Sequence, residues 1–194
     1  TDNTQGVLRS DAGLGLDLPS LVNDSGRITS ASNLLLTAGQ GVGNLGGDIL
    51  AGGTLTFTSL ALDNSRGRVA ADGRVQLATG TFTNQAGRLT SVDRLDLTAG
   101  LVDNRGGRIA SAKALVASVS GLDQRSGGEL YSNSALTLDL NNGLLDNSGG
   151  LINAPGPLVL RNLATVLNRG GEISSEQGFA LTAQSLDNLS LIHI

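Results

Sequence analysis

The chain has 194 residues with a net charge of −4, and it contains 28 glycines, three phenylalanines, one tyrosine and no cysteine, methionine or tryptophan. The missing cysteines exclude a disulfide framework, thiol catalysis and Cys-based metal sites, and the acidic balance with so few aromatic rings argues against nucleic-acid binding. No apolar run approaches the roughly 18 residues that a membrane span needs, so we expect no membrane insertion.

An Asn followed three residues later by a Gly recurs about every 20 residues, which indicates an internal repeat. The Asn is predicted to open a type I turn and to bond with its side chain to the backbone ahead, and the Gly to take the fourth position. The predicted turn residues, in chain order, are Asn3 and Gly6, Asn23 and Gly26, Asn44 and Gly47, Asn64 and Gly67, Asn84 and Gly87, Asn104 and Gly107, Gln124 and Gly127, Asn147 and Gly150, and Asn168 and Gly171. If these glycines adopt positive φ, Gly87→Val should destabilise the protein by a few kcal/mol.

Apolar residues keep a constant position within each repeat. The repeat around Asn64 has Leu62 before it and Val69, Val75 and Leu77 after it. Neighbouring apolar positions within a segment are two residues apart, and this period predicts β-strands with alternate side chains facing inward. Each repeat is therefore predicted to form three short strands separated by turns.

The repeat that begins at Gln124 departs from this register. Its apolar residue falls one position late, at Leu130, and Glu129 occupies the expected place. We interpret Gly128 as an inserted residue that forms a bulge.

A unit of about 20 residues is too small to bury its own apolar side, so successive units must stack. The predicted fold is all-β, a parallel β-helix of about nine coils and about 43 Å in length. A helical solenoid is the alternative, but it conflicts with the period of two and with the glycine content, which would cost about 1 kcal/mol at each helix-interior glycine.

The pattern spelled by LVNDSGRITSASNLLL and FTNQAGRLTSVDRLDL resembles the haemagglutinin repeat of filamentous-haemagglutinin-like exoproteins. These proteins belong to two-partner secretion systems of Gram-negative bacteria and include adhesins and the stalks of contact-dependent growth inhibition toxins. The resemblance implies a right-handed parallel β-helix, export through an outer-membrane transporter partner, and a location outside the cell or on its outer surface. It supplies no receptor-binding segment and no toxin domain.

The expected role is a rigid stalk, in which the partners of each coil are the neighbouring coils of a longer chain. The alternative is an adhesion surface for a host or target-cell receptor or glycan, and a more remote one is a β-helical polysaccharide lyase. We expect no enzyme, no cofactor and no catalytic or metal-binding residue. The only histidine, His193, lies near the chain end, and no repeat exceeds the usual length by more than three residues, which leaves no room for a cleft.

Aspartates directly precede several of the repeat Asn or Gln residues, namely Asp63, Asp103, Asp123, Asp146 and Asp187. Asp103, Asp123 and Asp146 belong to consecutive coils and are predicted to stack into a column. This column is either a weak cation site or a corner neutralised by arginines four places after the Asn. Those arginines are Arg68, Arg88 and Arg108.

The repeat is predicted to occupy residues 1–188, and because the chain begins within it we expect a segment of a longer protein. Residues 189–194, LSLIHI, fit no coil. Two interpretations stay open for this tail: a truncation artefact or junction with foreign sequence, and a hydrophobic cap on the last coil.

Overall fold

In the computed structural model, which describes residues 1–189, the chain winds into a parallel β-solenoid. Each coil of about 20 residues contributes one strand to a nine-stranded sheet. It also contributes one long strand or two shorter strands to an 11-stranded sheet. All strand pairs are parallel, and strand residues pair with their equivalents in the next coil, for example Ile49 with Val69. The predicted stacked coils are confirmed. None of residues 1–189 forms a helix that could cross a membrane.

The first sheet consists of one four-residue strand from each coil, directly after the Asn-Gly turn. Its strands are β1 (Val7–Ser10), β4 (Arg27–Ser30), β6 (Asp48–Ala51), β8 (Arg68–Ala71), β10 (Arg88–Ser91), β12 (Arg108–Ser111), β15 (Glu129–Ser132), β17 (Leu151–Ala154) and β19 (Glu172–Ser175). We call this layer the short-strand sheet.

The second sheet combines the other two predicted segments of each coil. Its strands are β2 (Leu14–Leu18), β3 (Leu21–Val22), β5 (Leu34–Gly43), β7 (Leu55–Asp63), β9 (Val75–Thr83), β11 (Leu95–Asp103), β13 (Leu115–Ser118), β14 (Gly121–Asp123), β16 (Leu136–Asp146), β18 (Leu158–Leu167) and β20 (Phe179–Asp187). Two coils keep separate strands, β2 with β3 and β13 with β14, whereas in the other described coils one long strand bends around the corner.

The long strands bend where the alternation of inward and outward side chains is interrupted. In β7, Phe57 and Ser59 face inward, Leu60 and Ala61 both lie on the outer side, and Leu62 faces inward again. The backbone continues to pair with the next coil through the bend. A corner of this kind therefore needs no turn residue, which explains why the second and third predicted strands merge.

The interior of the rod is built from columns of aliphatic side chains, each lying on its equivalent in the coil before. Ile49, Val69, Leu89 and Ile109 form one column in which every side chain is fully buried. Burial of such a side chain stabilises the fold by about 1.5–3 kcal/mol. Stacked coils thus share a continuous core that no single coil could form.

The coil that begins at Gln124 is irregular at two places. Glu129 pairs with Arg108 and Leu130 with Ile109, so the predicted insertion lies in the turn before β15. At the far corner of this coil, the register shifts between Asp139 and Gly143. The chain there turns through two residues with positive φ, Asn141 at 50° and Asn142 at 63°.

The first and last coils expose apolar side chains that inner coils bury. Leu14 and Leu16 are only partly buried, whereas Leu34 and Leu36 in the next coil are 1% and 0% exposed. At the other end Phe179 is 50% exposed, although it continues the column of the buried Leu158. Of the predicted tail, residues 190–194 lie outside the described residues.

We predict that the isolated chain associates end to end, because open strand edges and exposed apolar columns recruit further strands. Sedimentation velocity at increasing protein concentration should detect oligomers that lengthen along the rod axis. A concentration-independent monomer would contradict the prediction.

Candidate functional site

The Asn residues of the repeat point into the rod and form a hydrogen-bonded ladder. The Nδ2 of Asn44 donates to Oδ1 of Asn64 at 2.7 Å, and Asn64 donates in the same way to Asn84 at 2.7 Å. The further links in the ladder join Asn3 to Asn23, Asn23 to Asn44, Asn84 to Asn104, Asn104 to Gln124, Asn147 to Asn168, and Asn168 to Asn188. Asn44, Asn64 and Asn84 are completely buried.

Most asparagine amides of the ladder also donate to a backbone carbonyl beside them. The Nδ2 of Asn44 reaches Gly47 O at 3.0 Å and Arg68 O at 3.4 Å. The expected bond to the backbone ahead is therefore present, but the side chain also binds the next coil. A hydrogen bond contributes about 0.5–1.5 kcal/mol, and leaving a buried partner unpaired costs about 1–3 kcal/mol. The ladder thus ties the coils together by polar contacts within a dry interior.

The turn geometry differs from the predicted type I. The Asn carbonyl accepts from the Gly amide three residues later, as in Asn84 O and Gly87 N at 3.0 Å. Positive φ, however, occurs at the third turn residue, which favours a type II turn. These third residues are Gln5, Ser25, Gly46, Arg66, Ala86, Gly106, Gly149 and Gly170, with Ser126 in the longer turn. The expected positive φ at Gly87 is wrong.

The fourth-position glycine is needed for close approach between coils. A Cβ placed on Gly87 would lie 2.1 Å from the carbonyl oxygen of Asn64 and 2.7 Å from Oδ1 of Asn84. Gly67 and Gly107 show the same approach, at 2.1 Å and 2.0 Å. The missing side chain lets each turn lie directly on the Asn backbone of the coil before.

Gly127 lies within the turn, but Gly128 is the equivalent of these fourth-position glycines. Gly128 N donates to Gln124 O at 3.0 Å, and a Cβ on Gly128 would lie 2.4 Å from Asn104 O. Gly127 has a φ of 79°, and a Cβ placed on it would have no heavy atom within 4 Å. The inserted residue lengthens the turn, so the close approach moves one position along the chain.

The ladder is interrupted directly after Gln124. Within residues 1–189, neither Nε2 of Gln124 nor Oδ1 of Asn147 has a hydrogen-bond partner, although both side chains are buried. Glutamine is one methylene longer than asparagine, so its amide ends at a different place, and it makes no hydrogen bond to Asn147. The described rod accordingly contains two runs of the ladder, which end on either side of this break.

The aspartates next to the ladder lie side by side, as predicted, but other arginines neutralise them. Asp103, Asp123 and Asp146 are neighbours in the register of successive coils. Arg105 lies 2.7 Å from Asp103 and 3.6 Å from Asp123, and Arg125 lies 2.6 Å from Asp123 and 3.5 Å from Asp146. Guanidinium and carboxylate groups thus alternate along this edge.

The predicted pairing with the arginines four places after the Asn is wrong. Arg108 pairs with Glu129 at 2.6 Å, on the outer face of the short-strand sheet, and within residues 1–189 Arg68 and Arg88 have no carboxylate within 4.0 Å. The reason is geometric, since these arginines lie beyond the turn and the aspartates lie before it.

The ion pairs lower the pKa of Asp103 and Asp123 on this edge. Hydrogen bonds from the Arg105 side chain are the main reason that the pKa of Asp103 lies below its usual value. Partial burial acts to raise the pKa of Asp123, but hydrogen bonds from the side chain and backbone of Arg125, with its charge, outweigh burial and lower it. A carboxyl with a lowered pKa stabilises the folded state above its unfolded pKa, and this stability is lost as the pH falls through the folded value.

The double variant R105Q/R125Q should therefore be less stable than the parent at pH ~7, by a small margin because the two guanidinium groups are exposed to solvent. The difference should vanish by about pH 2, where the carboxyls are protonated in both proteins. Thermal unfolding of both proteins between these pH values measures the difference. An equal difference at both ends of the range would contradict the ion-pair explanation.

A surface depression of about 440 Å³ lies beside this charged edge. Its floor includes Gly121, and the exposed Leu101 and Leu144 lie in the coils on either side. Asp123 and Asp146 lie at its rim. Among residues 1–189, no group of three or more histidine, cysteine, aspartate or glutamate side chains is placed to hold a metal ion.

The repeat seen in the coils also matches a family model. The model of the haemagglutinin repeat matches residues 1–59, 46–159 and 125–192, which together span nearly the whole chain. The chain belongs to the haemagglutinin repeat family. Comparisons with curated proteins and with solved structures found no match.

A second group of charges lies on the outer face of this haemagglutinin-repeat rod. Arg68, Arg88 and Arg108 occupy the same position in three successive strands of the short-strand sheet. The guanidinium carbon of Arg108 lies 5.6 Å from the ring centre of Tyr131 in the following coil. We call Arg66, Arg68, Arg88, Arg108 and Tyr131 the arginine face. Sequence reasoning identified Arg68, Arg88 and Arg108 but paired them with the aspartates across the turn.

Proposed function

We propose that this haemagglutinin-repeat segment is a stiff spacer in a large secreted or surface-anchored exoprotein of a Gram-negative bacterium. The observation that carries the proposal is the continuous pairing of every described coil with the next. Two sheets and the Asn ladder cross each junction between coils, except for the single ladder step after Gln124. Nine coils spaced at about 4.8 Å give a rod of about 43 Å.

The surface of the rod is consistent with a spacer. The longest repeat, from Gln124 to Asn147, spans 23 residues, so no coil carries a large projecting loop. The proposal includes no catalytic activity and no cofactor. A lyase-like enzyme is the opposing candidate, and incubation with polygalacturonate followed by detection of unsaturated uronate ends would reveal it.

The architecture also fits export through an outer-membrane transporter partner. In a solenoid each coil contacts only its neighbours, so folding can propagate coil by coil as the chain emerges. The chain has no cysteine, and folding outside the cell therefore needs no disulfide formation. In this proposal the rod holds an adhesive or toxic domain of the same exoprotein away from the cell surface.

Single-molecule energy transfer tests the spacer proposal, because the cysteine-free chain allows labels at chosen positions. Cysteines at Thr4 and Ser148 would place dyes about seven coil steps apart, or about 34 Å. A narrow distance distribution that is insensitive to salt supports a stiff spacer. A broad distribution, or one that collapses in moderate salt, would overturn the proposal.

A second candidate is direct adhesion through the side of the rod. The arginine face favours it, since it concentrates positive charge on a chain whose net charge is −4. A saturable interaction with target cells would support adhesion, whereas a pure spacer should show none.

A further inference from the structure

The coils that begin at Gln124 and Asn147 meet at a junction that lacks bonds present elsewhere in the rod. A matched comparison is the junction between the coils that begin at Asn23 and Asn44, because each of these junctions lies two coils from an end of the described rod. We call them the Gln124 junction and the Asn23 junction. Any difference between them is therefore independent of the distance from a rod end.

The Asn ladder crosses the Asn23 junction but not the Gln124 junction. The Nδ2 of Asn23 donates to Oδ1 of Asn44 at 2.7 Å. Within residues 1–189, Nε2 of Gln124 and Oδ1 of Asn147 have no hydrogen-bond partner, although both residues are 0% exposed. Folding removes these two groups from water without replacing their hydrogen bonds, which is costly. Separation of the two coils would return both groups to water, so this contact favours opening of the Gln124 junction.

A proline removes a second bond from the Gln124 junction. At the Asn23 junction, the Gly52 amide donates to Ser30 O at 2.8 Å. The equivalent residue at the Gln124 junction is Pro155, which has no N–H to donate. In the preceding coils the equivalent amides all donate to the coil before, and they belong to Ala31, Gly52, Asp72, Val92, Ala112 and Asn133. The Gln124 junction therefore lacks one bond between side chains and one between backbones.

The short-strand sheet is paired over the fewest residues at this same junction. β15 and β17 pair over three residues, from Glu129 with Leu151 to Tyr131 with Asn153. The other neighbouring strands of this sheet, including β4 and β6 at the Asn23 junction, are in register over four residues. Three separate losses of bonding thus coincide between two coils.

The aliphatic core and the surface charges do not distinguish the two junctions. Each junction carries an ion pair at 2.9 Å, between Arg161 and Asp139 or between Arg27 and Asp48, and exposed pairs of this kind contribute little. The stacked aliphatic side chains are at most 1% exposed at both junctions. These stacked pairs are Leu130 with Ile152, Leu136 with Leu158, Ile28 with Ile49, and Leu34 with Leu55.

We propose that the Gln124 junction is a built-in opening point, at which the described rod separates before any other junction between inner coils. In a solenoid each coil contacts only its neighbours, so the weakest junction opens first and the coils before it stay stacked. Opening leaves the block from Thr1 to Asp146 folded and releases the last two described coils together. A rod under load therefore yields at one place. This inference goes beyond the spacer role and does not depend on it.

Site-resolved hydrogen exchange of the full chain in low urea, at low protein concentration, tests the proposal. The reporting amides donate across the junctions at 2.9 Å, namely Leu136 and Leu151 at the Gln124 junction, and Leu34 and Asp48 at the Asn23 junction. We expect protection factors about tenfold or more lower for the first pair than for the second. Fraying from the rod ends alone predicts similar protection in both pairs, since both junctions lie two coils from an end.

Two variants supply the missing bonds. Q124N provides an amide of the usual ladder length, and P155A provides the missing N–H. Each should raise the protection of Leu136 and Leu151 by about threefold or more and leave Leu34 and Asp48 unchanged.

The matched control is P157A, which removes a proline ring at a position where no backbone bond between coils is expected. Within residues 1–189, its equivalents Arg74 and Arg94 donate no backbone hydrogen bond to another coil, so P157A should give no gain in protection. Equal protection at the two junctions of the parent would overturn the proposal. So would the absence of a gain in both Q124N and P155A, or a gain in P157A as large as that in P155A.

Discussion

Replacing Gly87 by alanine is expected to lower the free energy of unfolding by about 3 kcal/mol or more, a large effect for one methyl group. The new Cβ would lie 2.1 Å from the carbonyl oxygen of Asn64, which belongs to the backbone of the preceding coil. The clash can be relieved only by separating the two coils. That movement would also stretch the ladder bond from Asn64 to Asn84, which is 2.7 Å long. Valine should destabilise the rod further.

Gly41→Ala is the matched control for this substitution. A Cβ on Gly41 has its nearest heavy atom at 3.9 Å, which is an ordinary contact, and Gly41 does not have a positive φ. Its replacement should change stability by less than about 1 kcal/mol. Urea unfolding with hydrogen exchange in the central coils should be used for both, since a solenoid need not unfold in one step. Equal stability of the two variants would refute the close-approach explanation.

The repeat made the coil predictable, because its length and apolar positions follow directly from it. Leu62 and Val69 face inward as expected, and the shift to Leu130 locates the insertion before β15. The sequence also contains the information that the ladder side chains point inward. Leu62 and Asn64 are two residues apart, and in a strand this spacing places both side chains on the same face.

The same two-residue spacing could have identified the arginines that pair with the aspartates. Asp103 and Arg105 are two residues apart on either side of Asn104, so they share the outer face and meet. Arg108 lies after the turn, on another face of the coil, and finds Glu129 there. Distance along the sequence suggested that all of these charges share one corner, but the turn separates them in space.

Other features could not be predicted because they depend on backbone conformation. Positive φ at Ser25 or Ala86 has no residue preference behind it, since neither is glycine or asparagine. Stacking of the coils imposes this geometry on whatever residue occupies the third turn position. The break between Gln124 and Asn147 likewise depends on where a longer amide ends within a packed interior.

The ladder itself is tested most sharply by Asn84→Asp. The wild-type Nδ2 of this residue donates to Oδ1 of Asn104 at 2.7 Å, in a fully buried position. An ionised carboxylate has no hydrogen to donate and would face the Asn104 oxygen, whereas the protonated form can donate to it. Burial and the neighbouring acceptor should therefore raise the pKa of the introduced carboxyl, by about 3 units, which corresponds to about 4 kcal/mol.

The sign of the pH dependence follows from that raised pKa. Below about pH 4, the usual value for an unfolded carboxyl, the variant should approach the parent in stability. As the pH rises through the folded-state pKa, folding is increasingly opposed by deprotonation, and the full deficit should be reached above it. Urea midpoints of variant and parent from pH ~3 to pH ~8 measure the deficit.

Asn33→Asp provides the control, because the side chain of Asn33 is exposed and its Oδ1 only accepts, from Thr54 N at 2.9 Å. A carboxylate can accept that bond equally well, so this variant should follow the parent across the pH range. A deficit in Asn84→Asp that does not change with pH would show that donation along the ladder contributes little. The adhesion between coils would then come from the aliphatic columns and the sheets alone.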